Sequence, residues 1–352
     1  MTAVHFIVPA GIDDPDRPSG GNAYDRRIAH GLAAAGWTVH LREVPGSWPR
    51  PDAMSRRALA AALGEIPDGA LVLLDGLVAS PTPEALGSEA GRLRLVVLVH
   101  MPLGQSTMDD GTRERERAAL SAAAAVITTS VWARLALLDL YALPSDRVHV
   151  AEPGVDRAEP APGTETEGAF LVVAAVIPAK GHDVLLDALG PLTGLRWQCE
   201  CVGSVERDPV FVERLRRRVR DTGMDGRVRF SGPQAERGLV RSYAAADVLV
   251  LPSRAETYGM VVTEALARGL PVVASEVGGV PEALGRSADG TLPGLLVPPD
   301  DPAALGDALR TWLEDSALRR RLRGAAHERR LALADWSATS SAVAGALHGA
   351  AR

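Results

Sequence analysis

The chain has 352 residues, of which 46% are hydrophobic and 23% charged, and its formal net charge is -6. These values are typical of a globular protein long enough for two domains, and the acidic balance argues against nucleic acid as a partner. Its apolar runs fall short of the roughly eighteen residues of a transmembrane segment, and MTAVHFIVPAG lacks the basic flank of a signal peptide, so we expect a cytoplasmic protein.

The first half of the chain alternates short apolar strands with longer segments of helical periodicity. The strand candidates are VHFIVPA, WTVHLREV, ALVLLDG, LRLVVLVH, AVITTS and VHVAEPG. Runs that are apolar on both faces belong to parallel sheets covered by helices, so each strand begins a βα unit. We predict a doubly wound domain over residues 1–155. Gly20 and Gly21 precede Asn22, which is expected to cap the first helix with Asp25 three positions on.

The second half repeats this pattern after a stretch without periodicity. Residues 156–168, DRAEPAPGTETEG, are rich in proline, glycine and acidic side chains and are predicted to form a linker. The strand candidates that follow are FLVVAAVI, WQCECVG, VRFSG, DVLVLPS, PVVASEV and GLLVPP. They predict a second doubly wound domain over residues 156–335, facing the first across a cleft at the carboxyl ends of both sheets.

Lys180 is the only lysine among the 38 lysine and arginine residues. A compact ammonium and a planar guanidinium are not equivalent at a phosphate, so a single retained lysine suggests a phosphate ligand. The alternative is a lysine that has survived by chance on a solvated surface.

Two glutamates stand eight positions apart in AETYGMVVTEALARG, residues 255–269. Glu256 falls in the turn after the strand DVLVLPS, and Glu264 lies within a helix predicted to run from Gly259 to Gly269. Free amides at the start of that helix suit a diphosphate, whereas carboxylates are better explained as acceptors for the vicinal hydroxyls of sugars. The segment is therefore compatible with a nucleotide-sugar site, and a surface salt bridge for Glu264 and a helix cap for Glu256 are the alternatives.

The surrounding sequence, LPSRAETYGMVVTEALARGLPVVASEVGGVPEAL, closely resembles the signature of retaining GT-B glycosyltransferases of the GT4 type. The likeness extends to SGGNAYDRRIAHGLAAAGWTVHL, VVLVHMPLG, PGVD and PAKGHDVLLDAL. It implies metal-independent, retaining transfer of a hexose from a nucleotide sugar, with UDP favoured, to a small-molecule or lipid-linked acceptor. It is also compatible with a homodimer and with a last helix, 336–350, that crosses back to the first domain.

The resemblance also implies roles for individual residues. Glu256 is similar to the glutamate that binds the donor sugar, Glu264 to the one that holds the ribose, and Lys180 to the lysine that neutralises the leaving diphosphate. The predicted catalytic residues are His100, Lys180 and Glu256. The predicted donor-binding residues are Gly21, Gly203, Arg254, Tyr258, Gly259, Met260, Val261 and Glu264, and the predicted acceptor residues are Gly20, Asn22 and Asp75.

One position departs from the family pattern. The family has an arginine five positions before its lysine, and this chain has Ala175 there. Arg254, Arg207 or the helix N-terminus is expected to replace the missing cation. No D-x-D pair is placed to bind a metal, and the DDPD segment lies in an N-terminal loop.

Acceptor contacts are expected from the loops GIDDPDRPS and MPLGQSTMDDGTRE. The run RERER, residues 113–117, is predicted to be a solvated helix face, with contact to an anionic membrane as the alternative.

Two other functions compete with sugar transfer. A dinucleotide-dependent oxidoreductase requires G-x-G-x-x-G directly after the first strand, and GIDDPDRPSGG stands there instead. A nucleotide-sugar epimerase or binding protein on the same fold would keep the donor site and change acceptor binding, so it remains the alternative.

Overall fold

The computed structural model describes residues 2–14, 19–105 and 110–351. Residues 15–18 and 106–109 lie outside this part of the chain, so the predicted acceptor loops and the DDPD segment are only partly described. Among the described residues, no helix combines the length and the apolar character needed to cross a membrane.

The chain divides into two compact units, one formed by Ser19–Gly154 with the N-terminal strand and the C-terminal helix, the other by Val155–Leu333. Each unit contains one six-stranded sheet whose paired strands all run parallel. The strands are β1 (Ala3–Pro9), β2 (Thr38–Val44), β3 (Leu71–Asp75), β4 (Arg94–Val99), β5 (Ala125–Thr128) and β6 (Val148–Val150) in the first unit, and β7 (Ala169–Val173), β8 (Gln198–Val202), β9 (Val228–Gly232), β10 (Val248–Leu251), β11 (Val272–Ser275) and β12 (Gly294–Val297) in the second. The predicted pair of doubly wound α/β sheets is confirmed.

Helices supply the crossovers that parallel strands require. They are α1 (Gly20–Ala34), α2 (Ala53–Gly64), α3 (Gly76–Ala79), α4 (Pro83–Glu89), α5 (Asp110–Ala122), α6 (Val131–Tyr141), α7 (His182–Leu189), α8 (Pro209–Asp221), α9 (Glu236–Ala244), α10 (Met260–Leu266), α11 (Val280–Leu284), α12 (Pro302–Glu314), α13 (Ser316–Leu331) and α14 (Trp336–Ala350). Short 3-10 turns occupy Leu103–Gln105, Ser145–Arg147, Pro178–Lys180 and Gly190–Leu192.

The sheet of the first unit is buried on both faces. In β3, Val72 and Leu74 belong to one core cluster, whereas Leu71 and Leu73 belong to the other. Successive side chains of a strand point to opposite faces, so a strand covered on both sides must be apolar throughout. This explains why the sequence shows continuous apolar runs instead of alternation.

The strand order reverses once in each sheet. The orders are β2-β1-β3-β4-β5-β6 and β12-β11-β10-β7-β8-β9. Connections therefore leave β1 and β3, and likewise β7 and β10, in opposite directions along the sheet. Loops that diverge at the carboxyl ends of neighbouring strands leave a crevice, and α/β sheets bind their ligands at this switch point.

The segment predicted as a linker packs on the second unit. The backbone N–H of Ala161 donates to the carbonyl of Arg268 at 2.8 Å, and the N–H and hydroxyl of Thr164 donate to Asp247 at 2.7 and 2.6 Å. The Asp247 carboxylate is buried and also accepts the N–H of Ala169 at 2.9 Å. The predicted linker thus directly follows the boundary between the two units, and it packs on the second unit because a buried carboxylate binds its polar groups.

The first helix is capped by Ser19, so the prediction of Asn22 as its cap is wrong. Ser19 has extended backbone, and its hydroxyl accepts the N–H of Asn22 at 3.1 Å, as an N-cap does. Asn22 is consequently inside the first turn of α1. Asp25, the expected partner in the capping box, is fully buried further along the helix.

Glu116 is a buried carboxylate within the RERER run. It accepts hydrogen bonds from the N–H groups of Leu103 and Gly104 at 3.0 and 2.8 Å, from the Ser80 hydroxyl at 3.0 Å and from the Tyr141 hydroxyl. The prediction of a solvated face is therefore wrong at this position. Glu116 holds the 3-10 turn that follows β4, because the two amides of that turn have it as their acceptor.

Replacing this carboxylate should destabilise the fold. Glu116→Ala leaves four donors without their acceptor in a buried place, so we expect the free energy of unfolding to fall by about 3 kcal/mol. Urea denaturation measures it. Glu114→Ala is the matched control, since Glu114 is exposed on the same helix and the change in helix propensity is identical. Equal effects of the two changes would contradict the role assigned to Glu116.

Candidate functional site

Lys180 and Glu256 meet at the switch point of the second sheet. Lys180 ends the 3-10 turn after β7, and Glu256 lies in the loop after the neighbouring strand β10. The Lys180 Nζ donates to Oε1 of Glu256 at 2.6 Å, and the Ser253 hydroxyl donates to the same oxygen at 2.9 Å. Their side chains are 26% and 12% exposed, respectively. The structure thus brings together two of the three predicted catalytic residues.

A glycine allows this approach. Gly181, which follows Lys180, has a φ of 66°, and a Cβ built on it would lie 1.8 Å from the carbonyl oxygen of Pro252. Any other residue would force the loop after β7 away from the loop after β10.

Gly203 directly follows β8 and is under a similar constraint. A Cβ on it would lie 2.0 Å from the carbonyl oxygen of Ala174, the residue that follows β7. The structure therefore explains Gly203 by strand packing, and its donor-binding role stays a prediction.

Arg254 is paired within the protein. Its guanidinium donates to both carboxylate oxygens of Asp183, at 2.9 and 3.1 Å, and also to Asp300 and to the carbonyl of Pro178. Burial raises the pKa of Asp183, but the hydrogen bonds and charge of Arg254 outweigh this effect and hold that pKa below its usual range. A guanidinium held this way clamps the loops around Lys180. Its predicted role in donor binding, in place of the family arginine that is missing at Ala175, stays a prediction.

The helix after Glu256 is shorter than predicted and begins as predicted. Gly259 is its N-cap with a φ of 91°, and α10 runs from Met260 to Leu266, not to Gly269. The backbone N–H groups of Gly259, Met260 and Val261 have no acceptor within the part of the chain that the structure describes. Tyr258 has a buried side chain. Three amides predicted to contact the donor thus donate no hydrogen bond to any described residue.

Glu264 lies on α10 and has a partner that the sequence gave no reason to choose. Its Oε2 accepts the hydroxyl of Tyr243 at 2.8 Å. Burial and, next, the charge of Glu264 raise the pKa of Tyr243, so the phenol keeps its proton. Arg268 donates to the backbone carbonyl of Glu264 at 2.8 Å and stacks over the Tyr243 ring at 4.4 Å. Together with the position of Glu264 on α10, these contacts fix the orientation of its carboxylate.

A second polar cluster lies at the switch point of the first sheet. His100 follows β4, Asp75 ends β3, and Asp25 lies on the helix that follows β1. The Nε2 of His100 is 2.7 Å from Oδ1 of Asp25 and 3.9 Å from Oδ2 of Asp75. A Cβ on Gly21 would lie 3.3 Å from the His100 ring, so this glycine admits the imidazole. Within residues 2–14, 19–105 and 110–351, no interaction of Gly20 or Asn22 marks an acceptor site, and their acceptor roles stay predictions.

The two carboxyl groups of this cluster are almost completely buried. Asp25 is 0% exposed and Asp75 is 1% exposed. Burial raises the pKa of Asp25 to about 7, and burial together with the charge of Asp25 raises the pKa of Asp75 well above its usual range. Burial also lowers the pKa of His100. At neutral pH the imidazole is therefore uncharged, and the carboxyl pair does not carry two full charges.

Asp25 is a site residue that the sequence reasoning missed. The buried positions of α1 are Tyr24, Asp25, Ile28 and Leu32. A charged residue at helical spacing within an apolar stripe was the available signal. Among the described residues, Asp25, Asp75 and His100 also form a group whose ligand atoms all lie within 4.8 Å of one another, a spacing that a cation could bridge.

Comparison with known proteins relates the chain to sugar transfer. Residues 156–329 match the family described as glycosyl transferases group 1. The D-inositol 3-phosphate glycosyltransferase of Jonesia denitrificans is 35% identical over 207 residues, which are 53% of this chain and 48% of that protein. D-inositol 3-phosphate glycosyltransferase 1 of Catenulispora acidiphila is 29% identical over 325 residues, 82% and 76% of the two chains. This chain thus spans about half the length of the first relative and about three quarters of the second.

Two solved structures share the fold over nearly the whole chain. HepE of Anabaena, in complex with UDP and glucose, has a TM-score of 0.78 at 18% identity and covers 99% of this chain and 100% of its own. Sucrose-phosphate synthase from Thermosynechococcus elongatus has a TM-score of 0.77 at 23% identity and covers 98% of each chain. At these identities the likeness establishes the fold alone, which is the predicted GT-B fold.

Proposed function

We propose that this chain, whose residues 156–329 belong to the glycosyl transferases group 1, transfers a sugar from a nucleotide diphosphate sugar to an acceptor hydroxyl. The observation that carries the proposal is the 2.6 Å contact of Lys180 with Glu256, three residues before a helix start with unoccupied amides. A cation and free N–H groups suit a diphosphate, and a carboxylate suits sugar hydroxyls.

The two carboxylate oxygens of Glu256 differ in their hydrogen-bond partners. Its Oε1 accepts both Lys180 and Ser253, whereas its Oε2 accepts no hydrogen bond within the described part of the chain. We therefore assign Oε2 to a hydroxyl of the donor sugar. The bond to Lys180 then orients the carboxylate, and it leaves the other ammonium hydrogens for phosphate oxygens.

The proposed reaction proceeds with retention and without a metal. The bond between the anomeric carbon and the diphosphate oxygen breaks, and a bond to the acceptor oxygen forms on the same face. The acceptor proton passes to the departing phosphate oxygen. Negative charge grows on the diphosphate during this step, and Lys180 with the amides of Gly259, Met260 and Val261 supplies the opposing positive potential.

The relatives and the fold neighbour suggest which compounds to try first. UDP-glucose is the first donor to test, because the structure of HepE has been solved in complex with it. An inositol phosphate is the first acceptor to test, because the relatives are named D-inositol 3-phosphate glycosyltransferases. The absence of the family arginine at Ala175 favours a second candidate, a nucleotide-sugar epimerase or binding protein on this fold.

A panel of nucleotide sugars, incubated with and without acceptors, separates these functions. Transfer predicts that release of the nucleoside diphosphate depends on the acceptor and yields a product with the anomeric configuration of the donor. An altered sugar on an intact nucleotide would show epimerisation, and affinity without turnover would show binding alone. Either of these results would refute the proposed transfer.

The role of Glu264 can be tested by binding alone. If its carboxylate accepts both ribose hydroxyls, Glu264→Gln should weaken binding of the nucleoside diphosphate by about 1.5 to 3 kcal/mol, the range for hydrogen bonds to a charged group. Glutamine still accepts the Tyr243 hydroxyl, so the helix should be unaffected. Titration calorimetry measures the affinity, and Glu213→Gln on α8 is the control. Unchanged affinity would rule out the ribose assignment.

The role of Lys180 separates catalysis from binding. A cation beside the leaving group interacts more strongly with the transition state than with the bound donor. Lys180→Ala should therefore lower kcat by about a hundredfold or more, with a smaller change in donor affinity. Lys180→Arg keeps the charge but not the compact geometry and should recover part of the rate.

Steady-state kinetics with a competent donor and acceptor measure both changes. Arg217→Ala is the control because Arg217 is an exposed cation on α8. Glu256→Gln in parallel shows whether the loss arises through the carboxylate that Lys180 contacts. If Lys180→Ala keeps nearly full kcat, the diphosphate is stabilised elsewhere.

A further inference from the structure

Asp25 is buried, and only one of its two carboxylate oxygens has a hydrogen-bond partner among the described residues. It lies in the apolar stripe of α1 and is 0% exposed. Its Oδ1 lies 2.7 Å from Nε2 of His100, but its Oδ2 is buried without a hydrogen-bond partner among the described residues. An ionised carboxylate in this position would be strongly disfavoured, since neither water nor a donor reaches the second oxygen.

A second buried carboxyl group belongs to the same cluster. Asp75 is 1% exposed, and its Oδ1 accepts the N–H of Leu77 at 2.6 Å. A carboxylate oxygen of Asp25 and one of Asp75 lie within 4.8 Å of each other. Two ionised carboxylates would repel at this separation in a buried place, whereas a pair that holds one proton avoids the repulsion. A single negative charge on the pair is therefore the favoured state.

This arrangement selects one tautomer of His100. An oxygen of Asp25 that faces Nε2 can accept a proton donor, so Nε2 carries the hydrogen. The other ring nitrogen, Nδ1, makes no hydrogen bond within the described part of the chain and keeps its lone pair. The edge of the Tyr24 ring contacts the imidazole at 5.2 Å and 76°, and Gly21 leaves room for the ring. The plane and the tautomer of His100 are thus both set by the protein.

We propose that Asp25 is a positioning residue for His100: it holds one proton jointly with Asp75, accepts Nε2–H, and so presents Nδ1 to a substrate hydroxyl as an acceptor. The role of His100 toward substrate rests on the proposed function, but its tautomer does not. Asp25 acts through His100, because it is itself too deeply buried to touch a substrate.

The variants Asp25→Asn and Asp25→Ala are expected to differ in the tautomer of His100 and in kcat. An asparagine accepts Nε2–H through its oxygen and donates its NH₂ to Asp75, which reproduces the hydrogen bonds of the singly protonated pair. Asp25→Asn should therefore keep the Nε2–H tautomer and keep kcat within about threefold, whereas Asp25→Ala should release the ring and lower kcat about 10- to 100-fold, with KM for the donor little changed.

Ring-nitrogen NMR of the full chain, labelled with ¹⁵N-histidine, measures the tautomer at neutral pH. The His100 signals are those that disappear in His100→Gln. Asp247→Asn is the matched control, since Asp247 is also fully buried but lies in the other unit. The Asp247→Asn variant should have a lower melting temperature and the same His100 tautomer as the wild type.

Three results would overturn the proposal. They are a wild-type His100 that carries its hydrogen on Nδ1, an Asp25→Ala variant with an unchanged tautomer, and an Asp25→Asn variant as slow as the alanine. Broadening of the His100 signals by substoichiometric Mn²⁺ would also overturn it, because a cation would then occupy the place of the proton. If no donor is turned over at all, the NMR result still decides the role of Asp25, and only the proposed function fails.

Discussion

The reversal of strand order is the constraint on which both polar sites depend. In a parallel sheet, connections that leave neighbouring strands in opposite directions cannot cover the carboxyl ends of those strands, and a crevice remains. In the second unit this happens between β7 and β10, whose loops carry Lys180 and Glu256. In the first unit it happens between β1 and β3, next to Asp25 and Asp75. One topological rule thus places two chemically different clusters at equivalent positions.

The two clusters reduce the free-energy cost of burying charged side chains in different ways. Lys180 and Glu256 form a partly exposed ion pair, which contributes little to stability because its desolvation offsets much of its attraction. Such a pair can exchange its partners for ligand atoms at low cost. The buried carboxyls of Asp25 and Asp75 instead share a proton and keep a single charge. Their main effect is therefore to fix the orientation and the tautomer of His100.

The sequence predicted the sheets and their loops at the carboxyl ends of the strands, because apolar periodicity follows directly from backbone geometry. That Lys180 and Glu256 share one site was implied by the family resemblance and not by periodicity. It did not predict the partners of buried polar groups. Tyr243 reaches Glu264 from another helix, and Asp247 gathers the segment expected to be a linker. These contacts depend on the packing of elements far apart in the chain, which periodicity does not encode. Asp25 is the exception, since a charge within an apolar stripe was visible.

Glu116 and Asp25 show how a structural carboxylate differs from a functional one. Both are completely buried in the same unit. Glu116 receives four donors, so its charge is fully compensated and its position is explained by the turn that it holds. Among the described residues, Asp25 has a hydrogen-bond donor at only one of its oxygens, and that donor is a histidine whose other ring nitrogen makes no hydrogen bond there. Because folding alone would favour an apolar residue at such a position, the incomplete satisfaction of Asp25 is itself the argument that it serves the imidazole.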